Sequence, residues 1–545
     1  MQSAYTVLIL LMLVGVSRLI GRLIPLPLPL VQIAAGAVLA WPSLGLHIAL
    51  DPELFLFLFL PPLLFSDGWR MPKRELWRLR GPILTLAVGL VLFTVVGAGY
   101  FIHWLLPGIP LPVAFALAAV LSPTDAVAVS AIARDRLPAP LMHMLQGEAL
   151  MNDASGLVTF KFALAAAITG VFSLASASLA FVLVAVGGLL VGVALSWLVG
   201  RSRAWMIARG WDDPATHVVF MLLLPFAAYV LAERLGASGI LSAVAAGMMQ
   251  SWLDLLPRQT GTRLLNRSVW SLLEFAFNGL IFLLLGLQLP DIVKAVTSHE
   301  PTLWPTLFYR CLDVVTIFLV LLVLRFVWVQ SIWRLSGWLR RWRGKGELTL
   351  VPTARSCWLL TFGGVRGAVT LAGVLSVPLL LGGGEAFPER DLLIFIAAGV
   401  ILLSLIAACV ALPMLLRGIE RSPDDKRRNE VREAWRKTAE AAIHALEVEE
   451  PSVAPDAAKA ALATEVKARL MSEYRHQLAV YNDSAEAQAQ AFEMDLLERR
   501  LRLKAYRAQR LELYRLSRHH QIGDDVLREV LGELDLAEAN LGLGK

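Results

Sequence analysis

Long apolar runs, separated by short charged or Pro- and Gly-rich segments, make up the first three quarters of the chain. A membrane-spanning helix needs about 20 predominantly apolar residues, and thirteen runs approach or exceed that length. They are centred on residues 4–20, 23–41, 53–66, 81–106, 111–133, 141–170, 174–199, 216–232, 236–252, 268–289, 306–333, 353–381 and 391–417. The pattern predicts an all-α integral membrane protein with about 13 transmembrane helices.

The final part of the chain has a different pattern. Apolar and charged positions recur at helical spacing near residues 424–449, 456–480 and 485–519. We therefore predict a transmembrane domain, residues 1–417, and a cytoplasmic helical tail, residues 418–545. The tail is typical of a solvated helical domain or a dimerising coil, and we prefer this interpretation to a dedicated sensor.

Composition excludes several classes of protein. Hydrophobic residues make up 57% of the chain and mean hydropathy is +0.62, which excludes a soluble enzyme. The three cysteines, Cys311, Cys357 and Cys409, lie in apolar runs, so redox chemistry and structural zinc are not expected. The net charge of +6 is typical of loops beside a bilayer, and no nucleic-acid-binding module is recognised.

Loop charges predict the orientation, because Lys and Arg accumulate on the cytoplasmic side of a membrane. Loops after odd-numbered runs carry 21 Lys and Arg residues, and loops after even-numbered runs carry three. We expect a multi-pass protein of the cell membrane with its N-terminus outside and its C-terminus in the cytoplasm.

Ionisable side chains inside apolar runs mark the candidate site, since each costs at least about 2.5 to 3.5 kcal/mol at the centre of a spanning helix. In the fifth run, Pro123 removes a backbone donor and predicts an unwound segment where Asp125 lies. Freed carbonyls, a hydroxyl and a carboxylate are the oxygen ligands that a small hard cation prefers.

The sixth and twelfth runs carry the other buried charges. Glu148 and Asn152 share a helix face, whereas Asp153 is turned by about 100 degrees. We assign Asp153 to the ion, and Glu148 with Asn152 to structural pairing. Arg366 lies among glycines and keeps its charge, so it requires an acid, for which Glu148 is the candidate. Lys161 either neutralises a carboxylate or extends its amine towards the membrane surface.

The fifth and twelfth runs are seven runs apart, and each combines an interruption with a buried charge. This spacing is what two inverted six-helix repeats, runs 1–6 and 8–13, would produce, with broken helices that cross.

Four ordered segments stand out within the apolar runs. They are Leu60-Pro61-Pro62-Leu63-Leu64-Phe65, Ser122-Pro123-Thr124-Asp125-Ala126-Val127, Gly147-Glu148-Ala149-Leu150-Met151-Asn152-Asp153 and Gly363-Gly364-Val365-Arg366-Gly367-Ala368. These segments resemble the signatures of the monovalent cation:proton antiporter-1 family, which includes bacterial sodium/proton antiporters and the eukaryotic sodium/hydrogen exchangers. The likeness spans residues 5–417 and is greatest to the bacterial long-tailed subgroup.

This resemblance implies an ion-binding and proton-carrying site at Asp153, Asp125, Thr124 and Asn152, with Na+ bound by the first three. It also implies a structural ion pair of Glu148 with Arg366 and a homodimer.

The function implied is exchange of Na+, or of Li+ or K+, for H+ by alternating access, without a cofactor and without enzymatic activity. Asn152 implies one proton per cation, and Ala149, where many members have Ser, removes one possible ligand.

Other functions are weighed against this prediction. A K+/H+ antiporter of the same fold is the nearest alternative. A cation channel lacks a recognisable selectivity filter here, and an intramembrane protease lacks the histidine that would accompany the serine of Gly236-Ala237-Ser238-Gly239. Glu274 and Asn278, four residues apart in the tenth run, are either packing groups or gate residues.

Overall fold

The computed structural model describes residues 2–23, 26–40, 52–134, 136–169, 174–211, 213–254, 260–297, 303–342, 353–378, 387–417, 425–448, 457–480, 485–519 and 521–542. All regular secondary structure within these ranges is helical. The last residues of the twelfth predicted run, 379–381, lie outside them. The chain forms two compact units, Met1–Ile419 and Glu420–Lys545, and each is described by itself.

The first unit consists of helices of very different lengths. Their bounds are α1 (Gln2–Leu23), α2 (Leu28–Leu39), α3 (Pro52–Arg70), α4 (Lys73–Arg78), α5 (Arg80–Leu84), α6 (Val91–Leu105), α7 (Leu111–Val120), α8 (Ala126–Ala133), α9 (Ala139–Thr169), α10 (Leu174–Ala208), α11 (Pro214–Arg234), α12 (Gly239–Leu253), α13 (Thr260–Thr297), α14 (Leu303–Trp342), α15 (Ala354–Phe362), α16 (Ala368–Leu375) and α17 (Arg390–Leu415). A π-helical segment, Thr85–Leu90, joins α5 to α6. Pro29 lies in the first turn of α2, where a missing N–H is harmless, whereas α3 continues through Pro61 and Pro62.

Six helices in the described ranges are long and apolar enough to cross a membrane. They are Arg80–Leu105, Leu179–Ala208, Pro214–Arg234, Thr262–Thr297, Trp304–Arg334 and Arg390–Leu415. Shorter apolar helices lie at Val7–Gly21, Leu28–Leu39, Leu111–Val120 and Gly239–Leu253. The prediction of a multi-pass, all-helical membrane protein is confirmed.

The first unit contains two pairs of short helices, each separated by a short gap. The pairs are α7 with α8 and α15 with α16. α7 is buried along most of its length, because its alanines, valines and leucines leave no polar side chain that must reach water. α16 is buried from Thr370 to Leu375 and packs near α7, α9 and α17. The gaps between the paired helices are buried as well, at residues 121–124 and 363–367.

Glycines allow longer helices to pack closely around this interior. A Cβ at Gly36 of α2 would overlap the backbone of Leu283 in α13, and a Cβ at Gly247 of α12 would overlap that of Phe65 in α3. Small residues at helix contacts matter in lipid, where burial of apolar surface gives no advantage. α3, which carries part of the site, is positioned by this contact.

The second unit contains α18 (Asp425–Val448), α19 (Ala457–Val480), α20 (Ala485–Arg518) and α21 (Asp524–Gly542). The first three match the predicted amphipathic segments, and α21 is an additional helix that the sequence reasoning missed. Successive helices pack against each other. The Asn482-Asp483-Ser484 segment, whose composition suggests a helix cap, lies outside the described residues.

Candidate functional site

The two interrupted helices meet at their breaks. Residues 121–125 separate α7 from α8, and residues 363–367 separate α15 from α16. The backbone N–H of Asp125 donates to the carbonyl oxygen of Val365, with an N···O distance of 2.7 Å. The two predicted interruptions are therefore present, and a hydrogen bond joins them directly.

Arg366 replaces a backbone donor that is lost at the first break. In a continuous helix the carbonyl of Leu121 would accept a hydrogen bond from the N–H of Asp125, but that N–H is bonded to Val365. The Nε of Arg366 instead donates to the Leu121 oxygen at 3.1 Å, and Nη1 donates to the Gly364 oxygen at 2.5 Å. The guanidinium thus satisfies two carbonyls away from water, where unpaired backbone groups are costly.

Asp125 is held at the start of α8 as its N-terminal cap. Its Oδ1 accepts hydrogen bonds from the N–H groups of Val127 at 2.9 Å and Ala128 at 3.0 Å. Its other oxygen, Oδ2, lies against Gly367, where a Cβ would overlap the carboxylate. The glycine at this position is therefore required by the approach of the second break to the acid.

Side chains of α9 fix the first break from a third direction. The Nδ2 of Asn152 donates to the Oγ1 of Thr124 at 2.8 Å, and this hydroxyl is 3.5 Å from Oε1 of Glu148, to which it donates. The Oδ1 of Asn152 is buried and has no hydrogen-bond partner in the described part of the chain. Asn152 therefore orients Thr124 while keeping an acceptor oxygen unused.

Glu148 pairs with Arg325 of α14, and not with Arg366 as predicted. Both terminal nitrogens of Arg325 bind the two carboxylate oxygens, with Nη2 to Oε2 at 2.8 Å, and the side chains are 3% and 1% exposed. The Nε of Arg325 donates to the carbonyl of Leu360 at 2.9 Å. The prediction was wrong because Arg366 directs its Nε and Nη1 to backbone carbonyls, while Arg325 is placed for bidentate pairing.

A cavity of about 410 Å³ opens beside these two helix breaks. The carboxylates of Asp67, Asp125 and Asp153 line it together with Thr124. Asp153 projects from α9 and is 8% exposed. Neither Asp125 nor Asp153 forms an ion pair with any residue that the structure describes. The cavity can therefore offer negative charge to a cation or a proton, while Glu148 lies outside its lining.

The same cavity is lined by Arg70, Glu274 and Asn278. A nitrogen of Arg70 is 2.6 Å from Oε2 of Glu274, and the hydroxyl of Ser66 donates to the other Glu274 oxygen. These contacts join α3 to α13. Glu274 and Asn278 are thus cavity residues rather than packing groups remote from the site.

Sequence reasoning missed Asp67 and Arg325 for different reasons. The third predicted run ends at residue 66, whereas α3 continues to Arg70, so Asp67 lies just beyond the apolar pattern. Arg325 lies within the eleventh apolar run, where the cost of a buried charge would have identified it. Lys161 binds Glu233, with an Nζ to Oε2 distance of 3.1 Å, and takes no part in the cavity.

Comparisons with known proteins agree with this architecture. The chain is 46% identical to YjcE, an uncharacterised Na+/H+ exchanger of Escherichia coli (strain K12), over 99% of both chains. It is 42% identical to a sodium, potassium, lithium and rubidium/H+ antiporter of Bacillus pumilus (strain SAFR-032), over 99% of this chain and 78% of that protein.

The structure of the sodium proton antiporter MjNhaP1 from Methanocaldococcus jannaschii has the same fold. The TM-score is 0.57 at 18% identity, over 77% of this chain and 99% of that one.

A helical membrane bundle in which two helix breaks meet beside a carboxylate-lined cavity is typical of the class of secondary ion transporters. The family model described as sodium/hydrogen exchanger, transmembrane, matches residues 7–418. The chain belongs to this family.

Proposed function

We propose that this protein exchanges Na+, or the chemically similar Li+ or K+, for H+ across the cell membrane. The observation that carries the proposal is the cavity beside the two helix breaks. Asp125 and Asp153 line this cavity and have no described cationic partner. Exchange is supported further by the names of the relatives from Escherichia coli and Bacillus pumilus.

The mechanism follows from competition for these carboxylates. A carboxylate in a partly desolvated cavity binds either a proton or a cation, because holding both would place excess positive charge in a medium of low dielectric. We assign the cation to Asp153, Asp125 and Thr124, and we assign to Asn152 the orientation of Thr124. The neutralised site crosses between the two sides, and the empty charged site is hindered by desolvation.

The finer features of the transporter are also proposals. We infer exchange of one proton per cation by alternating access, in a homodimer with 13 spans and two inverted repeats. The unequal loop charges support a cytoplasmic tail, because 21 Lys and Arg residues follow odd-numbered runs and three follow even-numbered runs.

Dye measurements of the internal pH of everted vesicles, with each alkali cation added in turn, test the exchange. Addition of Na+ is expected to raise the internal pH of vesicles that contain the wild-type protein. Vesicles containing Asp153→Asn, present at equal abundance, are expected to give no response. A response of Asp153→Asn equal to wild type would overturn the assignment, and cation flux without proton movement would indicate a channel.

Exchange of K+ for H+ is the second candidate function. The Bacillus pumilus relative, which is named for potassium as well as sodium, favours it. A larger response to K+ than to Na+ in the same vesicles would select this alternative.

A further inference from the structure

The second half of α20 carries a concentrated positive charge. Residues 499–518 contain eight Lys and Arg residues and one acidic residue, Glu512. Five of the cations lie within about 60 degrees of one line along the helix at 100 degrees per residue. They are Arg500, Lys504, Arg507, Arg515 and Arg518, and all five are exposed in the second unit, where Arg515 also pairs with Glu512 at 2.5 Å.

Apolar side chains lie between these cations on the same face. Leu511 is 71% exposed, Leu497 57% and Tyr514 45%. An exposed helix face that alternates cations with Leu and Tyr is suited to the boundary between lipid headgroups and acyl chains. Free phosphate would be attracted by the cations but would gain nothing from the apolar side chains.

The acidic helix α21 leaves this basic face open. Arg510 of α20 forms ion pairs with α21, and its Nη2 lies 2.6 Å from both Asp535 Oδ1 and Glu538 Oε2. These bonds raise the pKa of Arg510, and the hydrogen bond that Arg510 donates to Glu538 is the largest cause. Arg510 lies about 100 degrees from the centre of the basic face, so α21 neutralises a neighbouring side of the helix and not this face.

We propose that the basic face of α20, defined by Arg500, Lys504, Arg507, Arg515 and Arg518, binds the surface of a bilayer that contains anionic phospholipids. Clusters of four to eight Lys or Arg residues on an amphipathic helix are the feature that recognises such surfaces. Two copies of this face would repel each other, so a symmetric helix pair through it is disfavoured. The partner is therefore anionic lipid, independently of which cation the first unit transports.

The test uses the full chain held in nanodiscs of zwitterionic lipid, mixed with separate vesicles that contain about 30 mol% anionic phospholipid. Wild type is expected to sediment with these vesicles and not with vesicles of zwitterionic lipid alone. Raising the salt concentration to about 0.5 M is expected to release it, because screening shortens the reach of surface charges.

Two variants with equal changes in net charge separate a specific face from general attraction. Lys504→Glu with Arg507→Glu is expected to lower vesicle binding at least twentyfold, since each lost cation weakens binding about fivefold. Arg469→Glu with Arg475→Glu, at exposed positions of α19, is expected to bind within about twofold of wild type.

Three results would overturn the proposal. They are equal loss of binding in the two double variants, equal binding of wild type to zwitterionic vesicles, and preferential capture by short duplex DNA that displaces the anionic vesicles. The circular dichroism spectrum of each variant is measured as a control. A helical signal equal to that of wild type shows that lost binding does not come from an unfolded tail. Cation exchange is not a readout, so failure of the transport assignment does not affect this result.

Discussion

The pairing of Glu148 with Arg325 makes a quantitative prediction about stability. Both side chains are almost fully buried, and two guanidinium nitrogens bind the two carboxylate oxygens. Hydrogen bonds between charged groups contribute about 1.5 to 3 kcal/mol each. Removing one partner also leaves the other charge buried, which costs about 3 to 5 kcal/mol in comparable pairs. Arg325→Met should therefore destabilise the first unit by about that amount.

A double-mutant cycle measures the pairing itself. Arg325→Met, Glu148→Gln and the combined variant are compared with wild type by unfolding the full chain in mixed micelles with increasing denaturing detergent. The combined variant should be less destabilised than the sum of the single variants by at least about 2 kcal/mol, because neither charge is then left unpaired.

A second cycle, Glu148→Gln with Arg366→Met, serves as the matched control. Arg366 donates to the carbonyls of Leu121 and Gly364, so its loss leaves carbonyls rather than Glu148 without partners. The coupling with Glu148 should remain below about 1 kcal/mol. A coupling of Glu148 with Arg366 that equals or exceeds its coupling with Arg325 would refute the pairing inferred from the structure.

Three further predictions concern the cavity and the tail. Gly367→Ala should lower the maximal exchange rate at least about tenfold, because the alanine Cβ would displace the Asp125 carboxylate. Stability in detergent should change little. Exchange at the wild-type rate in proteoliposomes would contradict this prediction. Glu274→Gln leaves Arg70 as an unpaired cation in the cavity lining, so the half-saturating cation concentration should rise about fivefold, whereas no change in cation titrations would exclude an electrostatic role. Hydrogen bonds from Arg436 lower the pKa of Glu433, so its stabilisation of α18 is present above the ordinary pKa of about 4.3 and is lost as pH falls through the lowered value. Hydrogen exchange of residues 425–448, corrected for intrinsic rates, should show this acid-dependent loss in wild type and not in Glu433→Gln.

The interruptions of the two short helix pairs could be predicted from local sequence. Pro123 lacks a donor and the glycines around Arg366 permit irregular backbone, and both effects operate within one turn of the chain. The identity of Asp125 and Asp153 as cavity residues followed from the cost of placing a carboxylate in lipid. These inferences needed no knowledge of which helices touch.

The partner of Glu148 could not be obtained in this way. Glu148 and Arg325 are 177 residues apart in the sequence, and their contact depends on how α9 and α14 are rotated about their axes in the bundle. Two buried arginines were available to one buried acid, and the choice was made by the carbonyls that Arg366 satisfies at the breaks. Local rules give the cost of each charge but not its partner.

The claim that one cavity binds a cation and a proton in competition is tested most directly by cation-induced proton release. Purified protein in weakly buffered detergent solution is mixed with NaCl, and the protons released are counted with a pH indicator. Wild type should release about one proton per bound cation, because Na+ takes the place of the proton on the cavity carboxylates. Asp153→Asn should release none, and proton release by that variant equal to wild type would contradict the account.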